Sequence, residues 1–330
     1  MTIQERYVAV DNVCAWPNLT KMPDGSVVAS IYNQPVHGLW EGDVECWASD
    51  GNCRLWKLRG VAALHEPGCN RMNVAAGLAA NGDLIVIASG WTKVSVPGLV
   101  ENRKDKEVLP PVVCRSGDGG VSWKMSGTIQ HPAGNGKSII PFGDIVKLGT
   151  GELGCCFYSW VPPREHNSCF FTSSDDGNSW SLRATIREGN INETTPLVVG
   201  GRLLAAGRTM DDEHLELFAS HDNGISWTNT CALTLGNQHP GHMLLLKNGK
   251  ILLTYGIRNK GLYGIGARIS DDRGRSWGAP VVLADFQVAF DGGYPSSVEC
   301  DDGCIATAYY ASGVPYHQRY HMGIVRWKPD

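Results

Sequence analysis

Charged and aromatic side chains recur in this chain at a fixed place relative to short turn signals. They stand at the start of one apolar segment or at the end of the next, and they include Trp16, Arg71, Glu193, Arg208, His239, His242, Arg258 and Tyr294. Guanidinium groups bind carboxylates through paired hydrogen bonds. Aromatic side chains with a few polar groups typically line the pocket of a small ligand. Together these residue types indicate a carbohydrate site, in which the arginines suit an anionic group on the sugar.

Six turn signals separate apolar segments of strand length. They are Asp24-Gly25, Asn81-Gly82, Thr150-Gly151, Gly200-Gly201, Asn248-Gly249 and Asp302-Gly303. Apolar residues flank each turn, as in LLLKNGKILLTYG at residues 244–256, and this pattern is typical of a β-hairpin. The turns recur at intervals of about 55 residues, a period that indicates a repeat array or a propeller.

A second repeated motif follows the third apolar segment of most units. Four copies fit S-x-D-x-G-x-S-W, at residues 116–123, 173–180, 220–227 and 270–277, and a degenerate copy lies at residues 49–56. An Asp carboxylate can accept backbone N–H groups of a turn, and Gly tolerates a positive φ. The motif therefore predicts an outer hairpin turn with a structural role, not a catalytic one.

These patterns predict an all-β fold: a six-bladed β-propeller of four-stranded antiparallel blades, forming one domain over residues 1–330. The units cover residues 15–63, 70–129, 139–186, 193–233 and 239–283, and the sixth runs from about residue 294 through a third strand at 321–327. No fourth strand follows it, so residues 7–10 (YVAV) are predicted to complete that blade and close the ring. Residues 93–111 are predicted to form a solvated loop.

Composition narrows the function classes. The chain has 29 Lys and Arg against 33 Asp and Glu, a net charge of −4, and no basic stripe, so no nucleic-acid partner is expected. No 18-residue apolar segment predicts a membrane span, and the charged start MTIQERYVAVD is unlike a signal peptide. We expect a cytoplasmic protein, with a trimmed secreted form left open. The eleven Cys show no zinc-like spacing, so reduced thiols are expected, with no metal and no cofactor.

The repeated box resembles the Asp box of the sialidase (neuraminidase) superfamily. Residues 292–310 (GGYPSSVECDDGCIATAYY) resemble the stretch that carries the nucleophilic tyrosine of that family, which implies this role for Tyr294. Residues 192–209 (NETTPLVVGGRLLAAGRT) resemble the stretch with its partner glutamate and the second arginine of a carboxylate-binding triad. The resemblance thus implies these roles for Glu193 and Arg208, and the third triad position for Arg258.

Two family positions differ in this chain. The first triad arginine belongs to an R-I-P motif, where this chain has Ala15-Trp16-Pro17. Arg71, one unit further on, is the candidate substitute. The acid/base aspartate of the family lies in the loop before the first box, where this chain offers HGLWEGD, with His37, Glu41 and Asp43 as candidates.

The resemblance implies an exo-acting glycoside hydrolase on an acidic or related sugar. A phenol nucleophile suits a sialic acid, because the carboxylate on the anomeric carbon would repel a carboxylate nucleophile. Two alternatives stay open: a non-catalytic glycan-binding propeller, and a polysaccharide lyase in which His and Tyr do the proton transfer. His239 and His242 are candidates for ligand binding or for such chemistry. The sequence leaves the sugar, the linkage and the oligomeric state open.

Overall fold

The structure is a computed structural model that describes residues 1–99, 105–134, 138–161, 165–287 and 289–329. These residues form twenty-four β-strands and contain no helix, so the expectation of an all-β fold is confirmed. Consequently, the described part of the chain also offers no helix long and apolar enough to cross a membrane.

The strands of the first two units, with the N-terminal strand, are β1 Thr2–Asp11, β2 Ala15–Lys21, β3 Val27–Tyr32, β4 Val44–Ser49, β5 Lys57–Ala63, β6 Asn73–Leu78, β7 Leu84–Trp91, β8 Val108–Ser116 and β9 Lys124–Thr128. Those of the next two are β10 Ser138–Lys147, β11 Leu153–Val161, β12 Glu165–Ser173, β13 Ser181–Arg187, β14 Ile191–Val199, β15 Arg202–Thr209, β16 Leu215–Ser220 and β17 Thr228–Ala232. The last are β18 Gly241–Leu245, β19 Ile251–Asn259, β20 Leu262–Ser270, β21 Val281–Asp285, β22 Gly292–Glu299, β23 Ile305–Ala311 and β24 His321–Lys328.

Five sheets contain these strands. Three four-stranded sheets follow chain order, and a fourth has the order β1-β24-β23-β22. In that sheet Tyr7 pairs with Ile324 and Val10 with Met322, so the predicted pairing of the N-terminal strand with the last strand is confirmed. The remaining sheet has eight strands. The blade-like sheets fit a propeller, but their number differs from the six that the repeats predict.

The eight-stranded sheet forms because two units meet along their first strands. Residues 143–145 of β10 pair in parallel with residues 75–77 of β6. A Cβ on Gly77 would lie 2.4 Å from the carbonyl oxygen of Ile145, so only glycine allows this approach. First strands of successive units contact one another throughout the chain, and β22 also contacts β2.

The apolar core lies between the faces of neighbouring sheets. One cluster combines Val28 and Val44 of the first unit with Val74 and Val86 of the second. Burying a Val or Leu side chain fully contributes about 1.5–3 kcal/mol. Apolar contacts between neighbouring sheets therefore stabilise their arrangement. All eleven thiols are unpaired and nine are buried.

One predicted loop is partly strand. Residues 108–111, assigned to the solvated loop, begin β8, where Val108 pairs with Trp91 and Leu109 with Gly90. Of that loop, residues 100–104 lie outside the described residues. The prediction was wrong at 108–111 because these apolar and proline residues extend an already paired strand.

The boxes are hydrogen-bonded turns at the outer hairpins. In the third intact copy Asp222 accepts the backbone N–H groups of Ile225 at 3.1 Å and Ser226 at 2.9 Å. Hydrogen bonds from Ser226 and Ser220 hold the pKa of Asp222 well below its usual range. Trp227 donates from Nε1 to the carbonyl of Gly224 at 3.1 Å and lies edge-on to the buried Phe170 ring, with centroids 5.4 Å apart.

We predict that the box tryptophan is a stability element. Trp227 is half-buried, so Trp227→Ala should lower the free energy of unfolding by about 2 kcal/mol, less than the roughly 3–5 kcal/mol typical of a fully buried ring. Urea unfolding measures this. Ile225→Ala is the matched control, because Ile225 in the same box is 66% exposed and should change stability by less than about 0.5 kcal/mol. Equal effects of the two variants would contradict the structural role.

Candidate active site

A buried carboxylate joins two of the predicted site residues. The phenol of Tyr294, on β22, donates a hydrogen bond to Oε1 of Glu193, on β14. Oε2 of the same carboxylate accepts a hydrogen bond from Nη1 of Arg208 at 2.8 Å. Glu193 is only 6% exposed, so both of its oxygens are committed to these two groups.

The phenol keeps its proton in the resting protein. Burial and the neighbouring Glu193 charge raise the pKa of Tyr294, and the positive charges of Arg208 and Arg258 offset only part of that effect. A preformed phenolate is therefore not the ground state. Glu193 is placed to accept the proton as a bond to the phenol oxygen forms.

Irregular strand pairing aims these side chains. Register breaks occur between Ile191 and Thr194 in β14 and between Gly293 and Ser296 in β22, which contain Glu193 and Tyr294. Tyr294 also has a φ of 51°, an uncommon backbone conformation for a bulky residue. Such bulges re-aim a side chain, and here they bring Tyr294 and Glu193 together.

The same device positions Trp16 in the first unit. The pairing of β2 with β3 shifts between Ala15 and Asn18, and Trp16 has a φ of 46°. Its ring centroid lies 6.0 Å from that of Tyr294. Trp16 stands in the A-W-P segment that replaces the R-I-P motif of the family, so an indole lies beside Tyr294 at the segment where a guanidinium was expected.

A chain of charges extends from Glu193 away from the phenol. Arg208 Nη2 donates to Glu213 Oε1 at 2.8 Å, and Glu213 Oε2 lies 3.0 Å from Nε2 of His239. Burial, followed by the charges of Arg208 and Arg258, lowers the pKa of His239 to about 2. His239 is therefore neutral near pH 7, and its role here is to hold Glu213 against Arg208.

Arg258 approaches the same tyrosine from another strand. Its guanidinium carbon lies 5.7 Å from the centroid of the Tyr294 ring. Nε and Nη2 donate to the carbonyl of Gly292 at 3.3 and 3.1 Å. Arg258 is half-buried and keeps Nη1 free of hydrogen bonds to the described residues, so it can still meet an anion.

An open cavity of about 280 Å³ lies over the Tyr294–Glu193 pair. Four aromatic side chains line it, namely Trp16, Trp91, Tyr158 and Tyr294, together with the polar groups Glu193, His37, Lys106 and Asn73. Ligand pockets generally measure roughly 300–1,000 Å³, so this volume suits a single sugar residue. Aromatic walls with a few polar groups can pack against the apolar face of such a ring.

Of the loop candidates, His37 lines this cavity and Asp43 does not. His37 is edge-on to Trp16, with ring centroids 4.8 Å apart, and its Nδ1 lies 3.1 Å from Asp291 Oδ1. The Asp43 carboxylate instead lies 2.6 Å from Nδ1 of His65 and accepts the His65 backbone N–H at 2.8 Å.

Two further candidates, Arg71 and His242, contact residues other than Tyr294 and Glu193. Arg71 is 4% exposed and donates to Glu66 Oε1 at 2.6 Å and to the carbonyl of Pro110 at 3.1 Å. His242 lines a second, smaller cavity beneath Tyr294. Its Nε2 lies 3.0 Å from Asp144 Oδ2.

Sequence reasoning missed two acids of this region. Glu213 lies in a DDE run that reads as an exposed loop, and Asp291 lies just before the GGY segment. The sequence signal for Asp291 is its position just before Tyr294. The hydrogen-bond partners of Asp291 are distant in the sequence, so no local pattern indicated them.

The comparisons with known proteins agree with this architecture. The BNR repeat-like domain family matches residues 41–307, so the chain belongs to that family. A search of curated proteins finds no match.

Solved structures show the same fold at low identity. A protein of unknown function from Dyadobacter fermentans is 21% identical, with a TM-score of 0.82 over 99% of both chains. The Hadza microbial sialidase Hz136 is 17% identical, with a TM-score of 0.75 over 98% of this chain and 68% of that one. The Trypanosoma rangeli sialidase is 15% identical, with a TM-score of 0.71 over 98% of this chain and 56% of that one.

We predict that Arg208 and Glu193 stabilise the fold as a pair. Arg208→Met should lower the free energy of unfolding by about 3 kcal/mol, because a buried carboxylate loses its cation. Adding Glu193→Gln should recover part of this loss, since the remaining amide carries no charge. A double-mutant cycle by urea unfolding measures the coupling. Strictly additive effects of the two substitutions would contradict it.

Proposed function

We propose that this protein is an exo-acting glycoside hydrolase of the sialidase type, acting on an acidic or related sugar. The observation that carries the proposal is the hydrogen bond from Tyr294 to the buried Glu193 carboxylate at the floor of an aromatic-lined cavity. A phenol beside a carboxylate base is the arrangement that nucleophilic catalysis by tyrosine requires.

The proposal includes the architecture that forms the site. Residues 1–330 make one domain, a six-bladed propeller closed by β1 on β24. In support, the first strands β2, β6, β10, β14, β18 and β22 contact one another in succession, and β22 contacts β2. On this view the eight-stranded sheet is two blades joined through β6 and β10, and Trp16, Glu193 and Tyr294 come from three different blades around one mouth.

The reaction proceeds in two displacements. In the first, the Tyr294 oxygen attacks the anomeric carbon, Glu193 takes the phenolic proton, and the leaving oxygen departs as an alcohol after receiving a proton from an acid in the cavity. In the second, water attacks the same carbon and gives one proton to the conjugate base of that acid, the tyrosyl–sugar bond breaks, and Tyr294 recovers its proton from Glu193. The neutral phenol avoids the repulsion that a carboxylate nucleophile would meet at a carbon bearing a carboxylate.

Anion recognition in this site depends on fewer free cations than the sequence suggested. Arg208 already faces the carboxylates of Glu193 and Glu213, whereas Arg258 has only the Gly292 carbonyl among its described hydrogen-bond partners. Lys106 adds a cation to the cavity wall. We therefore propose Lys106, which lines the cavity, as the direct contact of an anionic group. Arg258, beside the Tyr294 ring but not among the lining residues, is the second cation, and Trp16 packs against the sugar ring.

A non-catalytic glycan-binding propeller is the second candidate. The indole of Trp16 in place of the first triad arginine favours it, because an aromatic platform binds a sugar ring without any chemistry. Both candidates predict ligand binding in the same cavity, and turnover separates them.

We predict that Tyr294→Phe lowers kcat by about 10³-fold or more, because only the attacking oxygen is lost. The measurement is hydrolysis of a panel of aryl glycosides of acidic and neutral sugars. Tyr255→Phe is the matched control: it removes a hydroxyl from another buried tyrosine, on β19 outside the cavity, and should keep wild-type turnover.

Mass spectrometry completes this test. A fluorinated glycosyl fluoride of the preferred sugar should add one glycosyl group to the peptide that contains Tyr294. Binding of sugars without turnover of any glycoside would favour the glycan-binding candidate. Wild-type kcat in Tyr294→Phe would exclude tyrosine as the nucleophile.

A further inference from the structure

We propose that His37, oriented by Asp291, is the general acid and base of the reaction. The inference rests on the proposed function, because it assigns the proton transfers on the side of the leaving group. It selects His37 from the three loop candidates and gives a positioning role to Asp291, a residue that no sequence pattern suggested.

Asp291 is held firmly enough to orient a ring. Its carboxylate side chain is 18% exposed, and Oδ1 accepts a hydrogen bond from Tyr310 Oη at 2.7 Å. Oδ2 accepts another from the hydroxyl of Tyr320. Burial alone would raise the pKa of Asp291, but hydrogen bonds from His37, Tyr320 and Tyr310 bring it well below its usual range. The group is therefore an ionised, fixed acceptor.

The two ring nitrogens of His37 differ in their contacts. Nδ1 lies 3.1 and 3.3 Å from the two oxygens of Asp291, which fixes the tautomer with the proton on Nδ1. Nε2 has no hydrogen-bond partner among the described residues. The side chain is 51% exposed and lines the same cavity as Tyr294 and Glu193, so Nε2 is open both to a leaving oxygen and to water.

The carboxylates of the same loop are engaged elsewhere. Asp43 is bonded to His65, and Glu41 accepts the backbone N–H of Gly68. Neither lines the cavity in the described part of the chain. The loop at residues 37–43 therefore offers one proton-transfer group to the site, and that group is His37.

The proton steps balance over the cycle. As Tyr294 attacks the anomeric carbon, the imidazolium of His37 gives its Nε2 proton to the departing glycosidic oxygen, which leaves as an alcohol. The neutral imidazole then takes a proton from water as that water attacks the anomeric carbon and the tyrosyl–sugar bond breaks. The imidazolium is restored, and Glu193 returns its proton to Tyr294.

Asp291 favours the charged ring at each stage, as a carboxylate does for a histidine general base. The other titratable or charged groups near His37 are Tyr310, whose ring centroid lies 6.4 Å from that of His37, and the cavity-lining residues Tyr158, Tyr294, Glu193 and Lys106. Of these, only Lys106 is positive, and burial lowers its pKa.

The first test compares two leaving groups on the sugar that the panel identifies. Methanol is a poor leaving group, so cleavage of the methyl glycoside needs acid catalysis. The 2,4-dinitrophenyl glycoside releases 2,4-dinitrophenolate, which departs without a proton. We expect His37→Ala to lower kcat/KM for the methyl glycoside by about 10²–10⁴-fold and to lower it far less for the activated one. Equal losses on both substrates, or no loss on either, would overturn the assignment.

Azide probes the second step in the same variant. It is a nucleophile that needs no general base, so it should raise kcat of His37→Ala on the activated glycoside and yield a glycosyl azide. The wild-type protein should show no such increase. Suppose that Tyr294→Phe is inactive while His37→Ala shows neither leaving-group dependence nor azide rescue. That result would support Tyr294 as the nucleophile and reject His37 as the general acid and base.

The positioning role of Asp291 has its own readout. Activity that depends on an imidazolium falls at high pH, and Asp291→Asn should move that alkaline limb to lower pH because the amide no longer stabilises the charged ring. Tyr320→Phe should move the limb to higher pH, because the carboxylate loses a donor and its charge acts more strongly on His37. A purely structural role would change the melting temperature of these variants and leave the limb in place.

Imidazole ¹⁵N spectra test the dyad independently of turnover. With the His37 signal assigned from its loss in His37→Gln, the neutral ring should carry its proton on Nδ1 in the wild-type protein. Asp291→Asn should weaken this preference for the Nδ1 tautomer, because the carboxylate acceptor is lost. A neutral ring protonated on Nε2 would contradict the geometry even if no glycoside is hydrolysed.

Discussion

The site depends on one buried carboxylate shared between a phenol and a guanidinium. Glu193 receives a hydrogen bond from Tyr294 on one oxygen and from Arg208 on the other. An isolated buried carboxylate would be costly, and the hydrogen-bonded guanidinium of Arg208 offsets that cost. Glu213 and His239 in turn hold Arg208, and the chain of contacts spreads the charge over several elements.

Regular strands could not build this site, because side chains on a regular strand alternate between its two faces. The register breaks at Ala15–Asn18, Ile191–Thr194 and Gly293–Ser296 release Trp16, Glu193 and Tyr294 from that alternation. The positive φ angles of Trp16 and Tyr294 are sparsely populated conformations that persist only where packing over-determines them. The inter-sheet core supplies that packing.

Two groups suited to proton transfer line the same cavity as Trp16. Glu193 contacts the phenol of Tyr294, and His37 packs edge-on to the indole and contacts Asp291. In the proposed hydrolysis, Glu193 serves the attacking oxygen and His37 serves the leaving oxygen.

Local sequence patterns were enough to predict the hairpins at Asn248-Gly249 and its equivalents, the box turns around residues such as Asp222, and the all-β class. Each depends on residues close together in the chain, so a repeated pattern predicts it, and the resemblance added Tyr294 and Glu193 as a pair. Only the tertiary structure decided the partners of His37, Asp43 and Arg71, and the joining of β6 to β10 at Gly77. Asp291 lies 254 positions from His37, and which of several nearby acids meets a given base depends on register shifts of a few ångströms that no local pattern encodes.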